Sequence, residues 1–253
     1  MKQTIVAAAA LFLAACGNQE PAPKKAAQEL KPIEYFHVDP ASAGAIQGKI
    51  EYHGKKPART VIPMSSEAGC EKAHAGKLVY DESVVVGKNG GLANTFVYIQ
   101  SGFGDKKFEV PKEPVVLDQS GCLFHPRVLG MQAGQILDVK NGDTVSHNVH
   151  PMPTNNREFN EQQSPGAPDI QHKFPRADVM IPVKCNVHSW MRAYIGVVDN
   201  PYFFVTGDDG SFELKNLPPG DYTLAVWHEK FGEQKQTVHV APSGNSAVNF
   251  SYQ

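Results

Sequence analysis

Short apolar stretches that alternate with polar positions follow one another from about residue 45 to the end of the chain. Segments such as "NTFVYIQ", "QILDVKNGD" and "DYTLAVWHE" are rich in Val, Ile, Tyr and Phe and have the period of two that is typical of β-strands. Turn signals such as "KNGG", "DDG" and "LPPG" separate them. About eleven such segments predict an all-β fold of sandwich type.

The N-terminus departs from this pattern. Lys2 precedes an apolar run over residues 5–15, which ends at Cys16. The run is too short to span a bilayer but has the length of a signal sequence. "LAAC" resembles the lipobox of bacterial lipoproteins, which implies cleavage before Cys16 and acylation of its thiol, although an ordinary signal peptide with a chance cysteine is the alternative. Gly17 in place of an aspartate favours an exported outer-membrane lipoprotein, facing the periplasm or at the cell surface, over an inner-membrane one.

Length and charge narrow the class of protein. The 253 residues are enough for one large or two small domains. The formal charge of -2 gives no indication of a basic surface for nucleic acid or for anionic lipid. The lipid on Cys16 is therefore the expected attachment to the membrane. Residues 17–44 are expected to form a tether, because much of this stretch is rich in Ala, Pro, Lys and Gln.

Three cysteines remain after the signal: Cys70, Cys122 and Cys185. In an oxidising compartment thiols tend to pair. Because Cys185 has a spacing typical of metal ligands, Cys70 and Cys122 are the predicted disulfide. The alternative is a zinc site in which these two cysteines join His74 and His125.

The loop "CNVHSWM" places Cys185, His188 and Met191 between two predicted strands. Mononuclear copper sites use two histidine nitrogens and one thiolate, often with a distant methionine sulfur. The missing imidazole can come from "SHNVH", as either His147 or His150. Each residue alone is typical of a protein core, but the combination in strand-loop positions predicts a copper site.

Residues about 110–200 resemble a cupredoxin of the amicyanin and plastocyanin group. The resemblance rests on "GMQAGQILDVKNGDTVSHNVH" and "VMIPVKCNVHSWMRAYIGVV". It implies a Greek-key sandwich with one type 1 (blue) copper site. The implied ligands are His147, Cys185 and His188 in the plane and Met191 along the axis.

The same resemblance implies roles for neighbouring residues. Asn148 is expected to hold the ligand loops together and to donate a hydrogen bond near the Cys185 sulfur. The edge of His188 is expected to reach the surface as an electron port, with Trp190 either beside it or in the core.

Four protein ligands leave little room for substrate at the metal, which favours a one-electron carrier over an enzyme. The implied partner is a redox protein such as a cytochrome or a dehydrogenase. Two alternatives stay open: a copper-handling lipoprotein without a redox partner, and an envelope binding module in which copper is structural.

A second resemblance lies in "VTGDDGSFELKNLPPGDYTLAVWHEKFGEQKQTVHV", which is similar to the carboxypeptidase regulatory-like (transthyretin-like) β-sandwich. Residues 45–104 are expected to supply the first half of that sandwich and residues 201–253 the second, with the cupredoxin domain at residues 105–200 inserted between them. The sequence holds no His-Glu-x-x-His or Gly-x-Ser-x-Gly motif, so no peptidase activity follows. His228 is expected to be structural or exposed.

Overall fold

The computed structural model describes residues 33–253, so the predicted signal, Cys16 and residues 17–32 of the predicted tether lie outside the described part. Glu34–Gln253 form one compact unit. Its helical elements are a 3-10 turn at Met64–Ser66 and helix α1 at Ala68–Ala73. The strands are, in chain order, β1 (Gly44–Tyr52), β2 (Phe96–Ser101), β3 (Val115–Ser120), β4 (Leu123–His125), β5 (Val128–Gln132), β6 (Ile136–Asn141), β7 (His147–Pro151), β8 (Glu161–Gln163), β9 (Ile170–Lys173), β10 (Asp178–Lys184), β11 (Arg192–Val198), β12 (Phe203–Val205), β13 (Ser211–Leu217), β14 (Gly220–His228), β15 (Gly232–Val240), β16 (Asn245–Ala247) and β17 (Phe250–Tyr252). The predicted all-β class is confirmed.

Two sheets form what we call the outer sandwich. One has the order β13-β1-β16, with β17 also paired to β1, and the other has the order β12-β2-β14-β15. Side chains such as Ile46, Val97 and Leu224 fill the core between them. Strands from before residue 102 and after residue 202 therefore pair with each other across the intervening chain.

Two further sheets form the central sandwich, which lies between residues 115 and 198. Their orders are β4-β3-β6-β9 and β5-β11-β10-β7-β8. The pairs β3–β6 and β5–β11 are parallel, while the other neighbours are antiparallel. Leu117, Val139, Ile181 and Ile195 lie in its core.

The predicted boundaries between residues 104 and 105 and between 200 and 201 remain predictions, because both sandwiches belong to one compact unit.

The two sandwiches share a third, smaller core. On β2, Val97 and Ile99 face the outer sandwich, whereas Phe96 and Tyr98 face the central one. Ala225 on β14 faces the same way as Phe96. Because neighbouring positions of a strand point to opposite faces, a sheet can line two cores only where both sets of positions are apolar. This explains why β2 reads as a continuous apolar run from Phe96 to Ile99.

The ring of Phe96 lies directly on two glycines of the central sandwich. A Cβ atom at Gly196 on β11 would lie 2.5 Å from Phe96 Cζ, and one at Gly130 on β5 would lie 2.8 Å from Phe96 Cε2. Real Cβ atoms do not approach a ring so closely. The absence of side chains at these positions therefore allows the sheets to pack around Phe96, which is fully buried.

The last part of the predicted tether is packed against the outer sandwich. The Phe36 N–H donates a 2.7 Å hydrogen bond to the carbonyl of Lys107, and its ring meets the Phe108 ring edge to face at 6.0 Å. The structure therefore differs here from a free tether, since Phe36 and Val38 extend the apolar core. No helix among residues 33–253 is long and apolar enough to cross a membrane.

His228 at the end of β14 is fully buried beneath an aromatic cluster. Its ring stacks on Phe231 at 4.7 Å, its Nδ1 accepts the Lys230 N–H at 3.2 Å, and its Nε2 has no partner. Burial, followed by the positive charges of Arg127 and Lys230, lowers the pKa of His228 from 6.5 to about 4. The sequence left open whether His228 is structural or exposed. Its complete burial fits the structural role.

Replacing Gly196 by Ala should lower the free energy of unfolding by about 1–3 kcal/mol, because the added methyl group displaces the buried Phe96 ring. Chemical denaturation of both proteins measures the difference. Gly207→Ala is the matched control, since nothing lies within 4 Å of its Cβ position. Equal losses in the two variants would contradict the packing argument.

Native stability should fall as the pH drops from about 6.5 to 4, because the unfolded chain protonates His228 at its ordinary pKa and the native state resists this. The full effect is about 3 kcal/mol and is absent above this window. In His228→Asn the corresponding part of the slope of unfolding free energy against pH should vanish. His239→Asn, at an exposed position, should keep the wild-type slope. An unchanged slope in His228→Asn would be inconsistent with this origin.

Candidate metal centre

The loop Cys185–Met191 closes the hairpin between β10 and β11, whose last pair is Lys184 with Arg192. Three hydrogen bonds hold it. The Cys185 N–H donates to the Met191 carbonyl at 3.3 Å, the Met191 N–H donates to the His188 carbonyl at 3.0 Å, and the His188 N–H donates to Cys185 Sγ at 3.4 Å. The loop therefore folds back on its own sulfur and fixes the positions of all three predicted ligands.

The structure brings His147 to this loop. His147 begins β7, the neighbour of β10, and its Nδ1 lies 2.9 Å from His188 Nδ1. Cys185 Sγ is 3.9 Å from His188 Nδ1, and candidate ligand atoms of these three residues lie within 4.8 Å of one another. All three are buried, and Met191 is fully buried in the same core.

His150 lies away from this group. It is three positions after His147 on β7, so its side chain points to the opposite face of the strand. There its ring nitrogens contact Glu158 and Asn186. Of the two histidines that the sequence left open, the structure places His147 beside Cys185.

Asn148 links the two ligand segments. Its backbone N–H points at Cys185 Sγ at 3.5 Å, and its side-chain oxygen accepts the N–H of Asn186, the residue after Cys185. The sulfur hydrogen bond thus comes from the backbone rather than from the side chain. Together with the His188 N–H, it gives the sulfur two donors that favour a thiolate.

Asp143 orients His147. Its Oδ2 atom lies 2.8 Å from His147 Nε2, and its two carboxylate oxygens accept the N–H groups of Gly121 and Cys122, each at 2.7 Å. Since a carboxylate is an acceptor, Nε2 carries the hydrogen and Nδ1 of neutral His147 has the free lone pair. Sequence reasoning missed this residue. Its position four residues before His147, in the turn "KNGD", was the available signal.

The predicted disulfide between Cys70 and Cys122 is present, with a sequence separation of 52 residues, and Cys185 is the free cysteine within residues 33–253. The zinc alternative is not supported. His74 Nε2 instead bonds the Gly121 carbonyl at 2.6 Å, and His125 is exposed.

The disulfide fastens a surface segment over the metal centre. Residues 54–81, here called the cover segment, carry Cys70 on α1 and contribute Ile62 and Met64 to the central core. Cys70 Sγ lies 3.6 Å from His188 Nε2. The expectation that the His188 edge reaches the surface is therefore wrong for this structure, because the ring is only 2% exposed.

Trp190 lies beside the covered histidine. Its ring centroid is 5.2 Å from that of His188, and its Nε1–H donates to the Cys122 carbonyl at 3.0 Å. Trp190 is half-buried, and it packs against the central core while keeping an edge at the surface. It therefore lies both beside His188 and against the core, the two positions that the sequence left open. Val187 in the same loop is 55% exposed.

The charges at the centre favour a cation. Burial opposes ionisation of Cys185, but the His147 side chain and backbone N–H groups lower the pKa of the thiol. Burial would likewise lower the pKa of His147, but Asp143 and Cys185 raise it to about 9. Burial and the charge of His147 lower the pKa of His188. The ring of His147 thus holds one positive charge beside Asp143 and the Cys185 thiolate.

The donor set fits copper. Metal bonds of about 2.0–2.3 Å bring ligand atoms to within roughly 3–4 Å of each other, and the His147–His188 and Cys185–His188 pairs have such separations. A thiolate, two imidazoles and a thioether match the preferences of Cu(I) and Cu(II) better than those of hard cations.

Part of the chain matches a known family. The sequence model of the carboxypeptidase regulatory-like domain matches residues 193–253, which begin within β11 and run to the end of the chain. No curated protein matches the chain.

Several solved structures are similar over part of the chain. A Cu-containing nitrite reductase (NirK) from Thermus scotoductus SA-01 has 18% identity and a TM-score of 0.33 over 38% of this chain, which spans only 24% of that enzyme. A purple cupredoxin from Nitrosopumilus maritimus has 18% identity and a TM-score of 0.28, with 34% of this chain and 99% of that one covered. An amicyanin mutant in its Cu(I) form has 20% identity and a TM-score of 0.28, with coverages of 40% and 97%. These low TM-scores carry no inference about the chemistry of the site.

Replacing Asp143 by Asn should weaken the binding of Cu(II) about 10- to 100-fold, because the carboxylate that fixes the His147 tautomer is lost. Titration against a competing chelator measures the change. Asp169→Asn is the matched control, since it removes the same charge from an exposed pair with Lys140. Equal affinities in the two variants would contradict the orienting role of Asp143.

Proposed function

We propose that the protein is a type 1 copper protein that carries single electrons, anchored to the cell envelope through a lipid on Cys16. The convergence of buried ligand atoms of His147, Cys185 and His188 within 4.8 Å, with Met191 fully buried in the same core as Cys185, carries this proposal. That Cys185 remains free while the other two cysteines of the described part are paired supports a ligand role for its thiolate.

The residues around the centre would keep its geometry fixed. Copper bound there would supply a one-electron couple between Cu(I) and Cu(II). Asp143 holds His147 through Nε2, and the backbone N–H groups of Asn148 and His188 hold the Cys185 sulfur. Ligands held this way move little when the charge changes, which favours rapid electron exchange over catalysis.

Electrons would not reach a partner protein through an exposed edge of His188. Since the cover segment buries His188, the accessible groups closest along the chain are Val187, Ser189 and the edge of Trp190. The contact of the Trp190 ring with His188 supports a role for Trp190 as the path for electrons to a redox protein such as a cytochrome or a dehydrogenase. Such encounters are weak and brief, and a small surface around Trp190 suffices for them.

A copper-handling protein without a redox partner is the second candidate. The observation that favours it is the burial of His188 beneath the disulfide, which shields the centre. The two candidates differ in the rate at which the copper-loaded protein exchanges electrons with a soluble cytochrome c. Rapid exchange that slows in Trp190→Leu supports the carrier, and exchange no faster than that of free copper supports the handling protein.

The copper-loaded protein should show an intense visible band and narrow copper hyperfine splitting in electron paramagnetic resonance, both from the Cys185 thiolate. Cys185→Ser and His147→Gln should lose this signature. His150→Gln is the matched control and should retain it, because His150 points away from the centre. Loss of the band in His150→Gln but not in His147→Gln would overturn the ligand assignment.

A further inference from the structure

The disulfide and the metal centre share one side chain. His188 Nδ1 faces Cys185 and His147, while Nε2 on the other side of the ring faces Cys70 Sγ at 3.6 Å. Candidate ligand atoms of Cys70, Cys122 and His188 lie within 4.8 Å of one another, and all three residues are buried. We propose that reduction of the disulfide creates a second metal site here, in which two thiolates and one imidazole bind Cu(I).

The chemistry of this step balances with a dithiol as the reductant. The bond between Cys70 and Cys122 breaks, each sulfur takes up a proton, and the dithiol supplies two electrons and two protons as it closes to its own disulfide. Cu(I) then replaces the two thiol protons and takes the Nε2 lone pair of neutral His188. Two thiolates and an imidazole suit this soft cation.

The scaffold around the two sulfurs has contacts besides the bond between them. Cys122 lies in the tight turn between β3 and β4, where it and Gly121 both have positive φ angles, of 53° and 60°. Asp143 holds both N–H groups of this turn, and Trp190 holds the Cys122 carbonyl.

The partner sulfur is held in a similar way. Cys70 lies on α1, and the cover segment that carries it is fixed by the burial of Ile62 and Met64 in the central core. His74, at the end of the same helix, bonds the Gly121 carbonyl at 2.6 Å. These contacts would keep both thiols near His188 after reduction.

The shared ring makes the two sites compete. A neutral imidazole has one lone pair, since its other nitrogen carries the hydrogen. His188 can therefore serve the Cys185 side through Nδ1 or the Cys70 side through Nε2, but not both at once. This exclusion rests on the proposed function, whereas the second site does not, because it does not use Cys185.

The test uses the full chain in mild detergent with Cys16→Ser and Cys185→Ser, which leaves Cys70 and Cys122 as its only cysteines. Anaerobic Cu(I) titration against bicinchoninate is performed before and after reduction by dithiothreitol, which is then removed. The oxidised protein should take up no Cu(I) in this competition, and the reduced protein should take up one equivalent. X-ray absorption should find two sulfur ligands and one nitrogen ligand.

Two further variants in this background test the ligand set. His188→Ala should weaken Cu(I) binding by at least about tenfold, by comparison with the 10- to 100-fold effects of residues that only support a ligand. His125→Ala is the matched control, since it removes an exposed imidazole that lies on the strand after Cys122 and plays no part in holding the two sulfurs. Equal affinity in His188→Ala and its parent would overturn the proposal.

Two more measurements test the proposed second metal site. Near-ultraviolet circular dichroism should be alike before and after reduction, and loss of the folded spectrum would overturn the proposal because the scaffold would then depend on the disulfide. Cys70→Ser should abolish uptake, and retained uptake would also overturn it. Because Cys185 is absent throughout, failure here is distinct from failure of the visible band in the protein that keeps Cys185.

Discussion

The structure depends on one sheet being apolar on both faces. The sheet β12-β2-β14-β15 closes the outer core with Val97 and Leu224, and the opposite positions Phe96 and Ala225 close the contact with the central sandwich. This double burial packs the two sandwiches against each other, and the Arg127–Glu229 ion pair also joins them. Because of the burial, β11 packs through Gly196 against Phe96, and the hairpin that carries the Cys185 loop has a fixed base.

The candidate metal centre is built from three separated parts of the central sandwich and its cover. The β10–β11 loop supplies Cys185 and His188, β7 supplies His147, and the turn between β3 and β4 is tied to both histidines. Asp143 reaches from His147 to that turn, and the disulfide reaches from the turn to His188. The carboxylate and the sulfurs thereby join the surroundings of the two rings into one connected structure.

Local pattern was sufficient for the all-β class, for the longer strands and for the pairing of Cys70 with Cys122. It was not sufficient for short strands such as β8 and β12, because alternation is recognisable only over several residues. Nor was it sufficient for the surroundings of His188. Whether a loop histidine meets solvent depends on which distant segment lies above it, and "SSEAGCEKAHAG" carries no sign that it will cover this ring. Asp143 was visible only as a turn residue, since its second role appears once the turn between β3 and β4 lies beside the start of β7.

The chain enters and leaves the central sandwich at neighbouring points. β2 and β12 are antiparallel partners, with Tyr98 opposite Phe203, so a short turn could join them directly and leave the outer sandwich with its strand order intact. The connectivity would thus allow the inserted part to be exchanged as a cassette during evolution or by engineering. Removal of the central sandwich would nevertheless be unfavourable, because Phe96 and Tyr98 would then face water. Any replacement would have to bring its own glycine-lined face to receive them.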